Sequence, residues 1–173
     1  MEGVTAGDIM VPLDNYPHIP YWFTLRQAIA EMESSPITKD GQTTMARMIL
    51  VFDEKYRLLG LVRRRDILRG LEPAYMLDSP HAKREYFKLD VDENLGEMLS
   101  DQGYEKIRQN AETAISEVMQ PILGSVNAED SLLKLIKEMV MHDYHMLPVL
   151  KDGSVAGVVR TVDVLREVAK VIL

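Results

Sequence analysis

A nine-residue pattern that occurs twice constrains the fold of this chain more than any other feature. The run Gly60-Leu61-Val62-Arg63-Arg64-Arg65-Asp66-Ile67-Leu68 returns 97 residues later as Gly157-Val158-Val159-Arg160-Thr161-Val162-Asp163-Val164-Leu165. Each copy has the form of a short apolar strand that leads into a helix with an aspartate in its first turn. A duplicated pattern of this kind predicts two structural repeats.

The same series of elements precedes both copies. Thr24 and Ser131 are suitable N-caps, and apolar residues at helical spacing follow each of them. Two apolar runs of strand length then follow in each repeat, with a polar turn between them. These runs are 48–52 and 58–62 in the first repeat, and 146–150 and 155–159 in the second.

The matching elements define the predicted domains. The first repeat covers residues 1–71 and the second covers 114–173. The first repeat is longer by about ten residues, and the polar stretch with Pro and Gly at 33–47 predicts a long surface loop there. The intervening segment 72–113 carries 10 acidic and 5 basic residues. It predicts an insertion with helices near 80–88 and 92–109, which either packs on the edge of the repeats or serves as a partner-binding or cleft-covering arm.

Neither repeat is long enough to bury its own apolar surface. Each has strands that are apolar on both faces and two amphipathic helices within about 55 residues, which is near the lower size limit of an independent domain. Stacking the repeats supplies the missing cover. We therefore expect one folding unit of the α+β class.

Composition and charge exclude several functions. The net charge of −7 makes the chain a poor ligand for nucleic acid. The chain has no Cys, no apolar run of membrane-spanning length and no signal-like start, so we expect a cytoplasmic protein without membrane contact. His142 and His145 lack further metal ligands, and the calcium-loop-like residues 90–101 depart from the EF-hand pattern. No metal is expected.

The ordered motifs resemble the CBS motif, which is named after cystathionine β-synthase. The resemblance lies in Asp8-Ile9-Met10-Val11-Pro12, in Leu147-Pro148-Val149-Leu150, and in the glycine-containing strand followed by Asp, an apolar residue and Leu. The second repeat fits best over 116–167; the first fits over 7–71 and has Leu50 in place of the strand proline. The resemblance implies a Bateman module: two β-α-β-β-α motifs packed about a pseudo-twofold axis, here with a helical insertion between them.

The resemblance also implies a ligand and a partner. In this family the clefts between two motifs typically hold an adenine nucleotide or nucleoside, here AMP, ADP or ATP, and two pairs usually form a homodimer. Asp66 and Asp163 would accept hydrogen bonds from the ribose hydroxyls, unless they only cap their helices. The other carried-over positions are Leu61, Val158, Met48 and Met146 around the base, and Arg47 and His145 towards phosphate, although His145 could also have a purely structural role.

One departure from the family pattern changes the expected site. Arg63 and Arg160 occupy the position where the family usually has Thr or Ser, three residues before the Asp. Arginine can grip phosphate in a bidentate manner, and Arg65 adds to the charge of the first copy. Thr161 could replace the lost cap in the second copy. Alternatively, the arginines point to solvent or pair with the acidic segment 72–113, and the cleft is empty or altered.

Two functional hypotheses follow from these residues. The first is a non-catalytic regulatory module that binds an adenine nucleotide and signals through a change of shape or association. The second is a ligand-free scaffold that dimerises or docks onto an unidentified regulated protein. The sequence contains neither a Gly-rich phosphate loop with Lys nor a nucleophile elbow, so no enzymatic activity is expected.

Overall fold

The computed structural model describes residues 3–73 and 101–173. Its helices are α1 Ala6–Ile9, α2 Leu25–Ser34, α3 Arg64–Leu71, α4 Asp101–Asn110, α5 Leu132–His142 and α6 Thr161–Ile172. Its strands are β1 Val11–Pro12, β2 His18–Pro20, β3 Ile37–Lys39, β4 Gln42–Thr44, β5 Met48–Phe52, β6 Leu58–Arg63, β7 Gln120–Pro121, β8 Val126–Asn127, β9 Met146–Lys151 and β10 Ser154–Arg160. The predicted α+β class and the four predicted strands of the repeats are confirmed.

The two repeats exchange strands. One four-stranded sheet has the order β1-β10-β9-β8 and the other has the order β2-β5-β6-β7. Strand β1 of the first repeat thus pairs with β10 of the second, and β7, which lies at the start of the second repeat, pairs with β6 of the first. Each sheet is therefore completed by a strand from the other repeat.

The repeated glycine makes this exchange possible. Gly157 lies opposite Pro12 and Gly60 lies opposite Pro121 in the two exchanged pairings. A side chain on Gly157 would collide with the carbonyl oxygen of Val11, and one on Gly60 would collide with that of Gln120. The glycine is needed because two backbones approach closely at this point.

A shared apolar core fills the seam between the repeats. It joins Val11, Tyr16 and Leu50 of the first repeat to Met146 and Val158 of the second. Leu50 and Val158 are both 0% exposed. Separate cores lie between each sheet and its helices. The expectation that the two repeats bury each other's apolar surface is confirmed.

The long loop predicted for 33–47 is wrong in part, because β3 and β4 form an antiparallel hairpin there. The chain reverses at Asp40 and Gly41, which both have positive φ angles of 51° and 75°. Ile37 anchors the hairpin to the seam core and is 1% exposed. The polar Thr and Gln residues of this hairpin gave no strand-like hydrophobic alternation.

The predicted helix caps are confirmed. The Oγ1 atom of Thr24 accepts from the backbone N–H of Gln27, and the hydroxyl oxygen of Ser131 accepts from the backbone N–H of Lys134. Leu25 of α2 and Leu135 of α5 are 0% exposed. Capping thus fixes where each helix begins and turns its apolar face towards a core.

Part of the insertion 72–113 is described. Helix α4 packs against α3, and the side-chain amide of Asn110 donates to the carbonyl oxygens of Leu71 and Glu72 at 3.2 and 3.3 Å. Ile107 of this helix is 38% exposed. The helix predicted near 80–88 and almost all of the calcium-like loop lie outside the described residues. Within the described ranges, no helix has the length and apolar character that crossing a bilayer requires.

Candidate functional site: two clefts between the repeats

The larger cleft, here called cleft A, lies between the two repeats next to the start of α6. Its volume is about 570 Å³, which is within the usual range of small-molecule sites. Both repeats contribute to its wall, as does the β3–β4 hairpin. The lining residues are Tyr16, Ile37, Thr44, Met45, Ala46, Arg47, Met48, Arg64, His145, Met146, Arg160, Thr161, Val162 and Leu165.

A smaller cleft, here called cleft B, lies next to Arg63 at the end of β6. Its volume is about 330 Å³. Met48, His145 and Met146 line both clefts and therefore form the partition between them. The remaining wall of cleft B consists of Leu61, Arg63, Gln120, Pro121, Ile122, Leu123, Gly124, His142, Asp143, Tyr144 and Pro148.

Cleft A is strongly cationic. Arg47, Arg64 and Arg160 lie on its wall together with His145, and the described residues that line it include no Asp or Glu. The charge of Arg160 is compensated by Asp163, which lies behind the wall. The guanidinium groups of Arg47 and Arg64 are therefore the ones that favour an anionic ligand. Cleft B, by contrast, has one arginine and the carboxylate of Asp143 on its wall.

The helix starts are tied to the strands that precede them. The backbone N–H of Arg64 donates to the carbonyl oxygen of Arg47 at 3.3 Å, and that of Thr161 donates to the carbonyl oxygen of His145 at 3.0 Å. The guanidinium of Arg64 also donates to the carbonyl oxygen of Ala46 at 3.0 Å. The backbone N–H groups at these first helical positions are thus used within the protein. The arginine side chains remain as the cationic groups of the cleft.

Asp163 is buried against the arginine that precedes it by three residues. Its Oδ2 accepts from the backbone N–H of Arg160 at 3.0 Å and from Nε at 2.8 Å, and its Oδ1 accepts from Nη2 at 2.7 Å. The Nζ of Lys39 lies 3.7 Å from Oδ1. The side chain of Asp163 is 0% exposed and that of Arg160 is 13% exposed.

Asp66 repeats this geometry in the first copy. Its Oδ2 accepts from the backbone N–H and from Nε of Arg63, both at 2.9 Å, and its Oδ1 accepts from Nη2 at 2.9 Å. The side-chain amide of Gln120 adds a donor to Oδ1 at 3.3 Å. The Asp66 side chain is also 0% exposed, whereas that of Arg63 is 46% exposed.

The ion pairs control the ionisation of both carboxyls. Burial disfavours the charged form of Asp163, but the hydrogen bonds from Arg160 and the charges of Arg160 and Lys39 outweigh it and hold its pKa below the usual range. Burial likewise opposes ionisation of Asp66, and Arg63 and Arg69 again bring the net pKa below the usual range. Both aspartates are therefore ionised at neutral pH.

The hairpin closes over the Asp163 ion pair. The Nη1 of Arg160 donates to Thr44 Oγ1 at 2.9 Å. One turn further along α6, the guanidinium of Arg166 donates to Asp40 Oδ2 at 3.3 Å and to Gln42 Oε1 at 2.8 Å. These contacts join the β3–β4 hairpin of the first repeat to the first two turns of α6 in the second repeat.

Tyr16 holds Met48, one of the residues of the partition, in place. Its hydroxyl donates to the carbonyl oxygen of Met48 at 2.9 Å, and its side chain is 4% exposed. Burial raises its pKa, partly offset by the charge of Arg160. The phenol therefore stays neutral and holds the strand that carries Met48.

Most of the predicted site residues reach the clefts. Six line cleft A, namely Arg47, Met48, His145, Met146, Arg160 and Thr161, and Leu61 and Arg63 line cleft B. Their contact with a ligand stays a prediction.

Four predicted positions lie outside the walls of both clefts. Val158 is buried in the seam core, and Arg65 is exposed and lines neither cleft. Asp66 and Asp163 are held in the ion pairs and lie on neither wall, so the geometry matches the interpretation that they cap their helices. Contact with a ribose would require an ion pair to open. Arg63 pairs with Asp66 and Arg160 pairs with Asp163.

The sequence interpretation missed several wall residues. Arg64 is the central residue of the run Arg63-Arg64-Arg65. It was not predicted because its counterpart in the second repeat is Thr161, whereas Arg63 is matched by Arg160. Ile37 and Thr44 reach cleft A only because the hairpin folds back, and no sequence pattern indicated that. Within the described ranges, no group of three or more His, Asp or Glu residues is placed to hold a metal ion.

Comparison with known proteins identifies the domain family of the second repeat and the fold of the chain. The CBS domain family profile matches residues 115–170, which is the second repeat. A search of curated proteins found no match. Solved structures that resemble this chain include CBS-domain proteins. The second repeat therefore contains a CBS domain, and the chain as a whole resembles CBS-domain structures in its fold.

Three solved structures illustrate the likeness. The CBS domain of a CBS domain containing membrane protein from Sphaerobacter thermophilus has 22% identity and a TM-score of 0.67, over 95% of this chain and 88% of that one. CBSX2, a CBS-pair protein of Arabidopsis thaliana, was solved in complex with AMP; it has 17% identity and a TM-score of 0.63, over 99% and 100%. The cytosolic domain of the Mg²⁺ channel MgtE in complex with ATP has 20% identity and a TM-score of 0.60, over 96% and 49%. At these identities the likeness establishes the fold.

Proposed function

We propose that this protein is a non-catalytic regulatory module that binds an adenine nucleotide in cleft A. The observation that carries the proposal is the pair of arginines, Arg47 and Arg64, on a cleft of ligand size whose described wall has no carboxylate. The complexes of CBSX2 with AMP and of the MgtE cytosolic domain with ATP support the choice of ligand class.

The wall of cleft A offers both parts of a nucleotide a suitable surface. Met48, Met146 and Ile37 provide apolar contact for a base. Arg47 and Arg64 provide cationic donors for phosphate, and the partly exposed guanidinium of Arg160 lies on the same wall. A ligand that is anionic at one end and aromatic at the other matches this division.

Signalling follows from where the wall residues come from. Arg47 and Arg64 belong to the first repeat, whereas His145 and Met146 belong to the second. A ligand that contacts both repeats stabilises one arrangement of the pair relative to others, and it can shift the equilibrium only by its differential affinity for them. A regulated protein that recognises one arrangement would respond to the nucleotide.

The proposal includes a homodimer. Apolar side chains on α5 and α6 are exposed at helical spacing, among them Leu133 at 78%, Val140 at 76% and Ile172 at 72%. Exposed apolar stripes of this kind mark interaction surfaces in soluble proteins. The same stripes favour the second candidate function, a scaffold that only dimerises or docks.

Association is tested by sedimentation velocity of the full chain over a range of concentrations. We expect a dimer that Leu133→Glu converts to a monomer, whereas Glu117→Gln, an exposed substitution outside α5 and α6, leaves it intact. A monomer at all concentrations would refute the dimer without affecting the nucleotide site.

Nucleotide binding is tested by isothermal titration calorimetry with AMP, ADP and ATP. The triple-arginine run supplies a matched pair of variants, because Arg64 lines cleft A and the adjacent Arg65 lines neither cleft. Loss of a hydrogen bond to a charged group costs about 1.5–3 kcal/mol, so Arg64→Ala should weaken binding about 10- to 100-fold. Arg65→Ala should bind like the unmodified protein. Absence of heat with all three nucleotides would defeat the proposal and leave the scaffold.

A further inference from the structure

We infer that cleft A recognises its nucleotide by the number of phosphate charges and not by the ribose hydroxyls. This rests on the proposed nucleotide site and specifies which ligands that site distinguishes. The inference comes from the Arg160–Asp163 ion pair, which occupies the carboxylate that a ribose diol would otherwise use.

Arg160 already occupies most of the acceptor positions of Asp163. A carboxylate has about four lone-pair positions. Three of those on Asp163 accept hydrogen bonds from Arg160, and the ammonium of Lys39 lies beside Oδ1. Hydrogen bonds between charged groups are roughly twice as strong as neutral ones, so a neutral diol does not displace the guanidinium.

The hairpin reinforces the closed ion pair. Arg160 is held on its other side by Thr44, and Arg166 joins the hairpin turn to α6. Opening the pair would break the contact with Thr44 and would expose a carboxylate that is 0% accessible. The β3–β4 hairpin, which only the first repeat has, therefore also keeps this carboxylate out of the cleft.

The first copy has the same arrangement. Arg63 donates three hydrogen bonds to Asp66, whose side chain is again 0% exposed. Because both copies contain an arginine at the helix N-cap and an aspartate three residues later, neither cleft presents a free carboxylate at this position. The site that remains in cleft A consists of cationic groups and apolar wall.

Calorimetry with nucleotide analogues tests this inference on the full chain. We expect 2′,3′-dideoxy-ATP to bind as tightly as ATP within about threefold, and AMP to bind at least about tenfold more weakly than ATP because it lacks two phosphates. Arg160→Thr removes the guanidinium from Asp163. In that variant ATP should bind about tenfold more tightly than the dideoxy analogue, because a ribose hydroxyl can then donate to the freed carboxylate.

Arg64→Ala is the matched control. It removes a cation of the same cleft without touching the ion pair, so it should weaken ATP and the dideoxy analogue equally. Binding of dideoxy-ATP to the unmodified protein at least about tenfold weaker than ATP would overturn the inference while leaving the nucleotide site in place. If ATP itself did not bind, the proposed function would fail, and this inference with it. The comparison on the unmodified protein is decisive even if Arg160→Thr does not fold.

Discussion

The buried ion pair at Asp163 makes a quantitative prediction about stability. Replacing Asp163 by Asn keeps the shape of the side chain but removes its charge and puts an amide next to the guanidinium. Arg160 would then remain at 13% exposure without its counter-ion, and Lys39 would lose its carboxylate neighbour at 3.7 Å. Both changes lower the free energy of unfolding.

The magnitude follows from burial. Breaking a buried ion pair by removing one partner costs about 3–5 kcal/mol. Arg160 lies on the wall of cleft A and can reach water, so we expect the lower end, about 3 kcal/mol. For a chain of this size each kcal/mol lowers Tm by about 2–4 °C, which gives a decrease of about 6–12 °C.

The assay is urea and thermal unfolding followed by circular dichroism at fixed protein concentration, since dimerisation would shift Tm. Asp66→Asn is the matched control. Its partner Arg63 is 46% exposed and can turn into solvent, so we expect a smaller cost of about 1–2 kcal/mol. Equal effects below about 1 kcal/mol in both variants would refute the reasoning, because neither ion pair would then stabilise the fold.

Further predictions concern acid, the strand exchange and the hairpin. The folded-state pKa of Asp163 is lowered, so its contribution to stability is present above the unfolded pKa of about 3.9 and is lost as pH falls through the folded value. In urea unfolding, the stability difference between the unmodified protein and Asp163→Asn should therefore shrink as the pH is lowered through the folded pKa of Asp163. Gly157→Ala should destabilise the fold by about 1–3 kcal/mol in the same assay, because its methyl group collides with the carbonyl of the exchanged strand. Arg166→Ala should speed amide hydrogen exchange at 37–44, because it removes the contacts with the hairpin turn; Arg69→Ala, at the same place in the other repeat, should not.

The two-repeat fold could be predicted because the repeated glycine and aspartate occupy the same structural positions in both copies. The spacing of Gly60 and Asp66 returns at Gly157 and Asp163, and in both copies the glycine permits an exchanged strand while the aspartate lies in the first turn of a helix. The identity of the exchanged strands was not predicted. Two-residue strands such as β1 carry too little pattern to reveal their partners.

The cleft was less predictable than the fold. Arg160 and Asp163 are three residues apart, a spacing at which an N-cap side chain and a first-turn side chain meet. The sequence therefore allowed the capping interpretation. Because the arginines replace the usual Thr or Ser of the family, they were instead predicted to bind phosphate. Val158 was misplaced because residues of the other repeat bury it in the seam core, and only the tertiary structure contains that information.

Methionine methyl NMR of the full chain titrated with ATP tests the central claim most directly. Met48 and Met146 form the partition of the clefts, whereas Met32 and Met139 lie in the separate cores of the two repeats. We predict saturable shifts of the Met48 and Met146 methyl signals, with those of Met32 and Met139 nearly unchanged. Unchanged Met48 and Met146 signals at millimolar ATP would contradict a nucleotide site between the repeats.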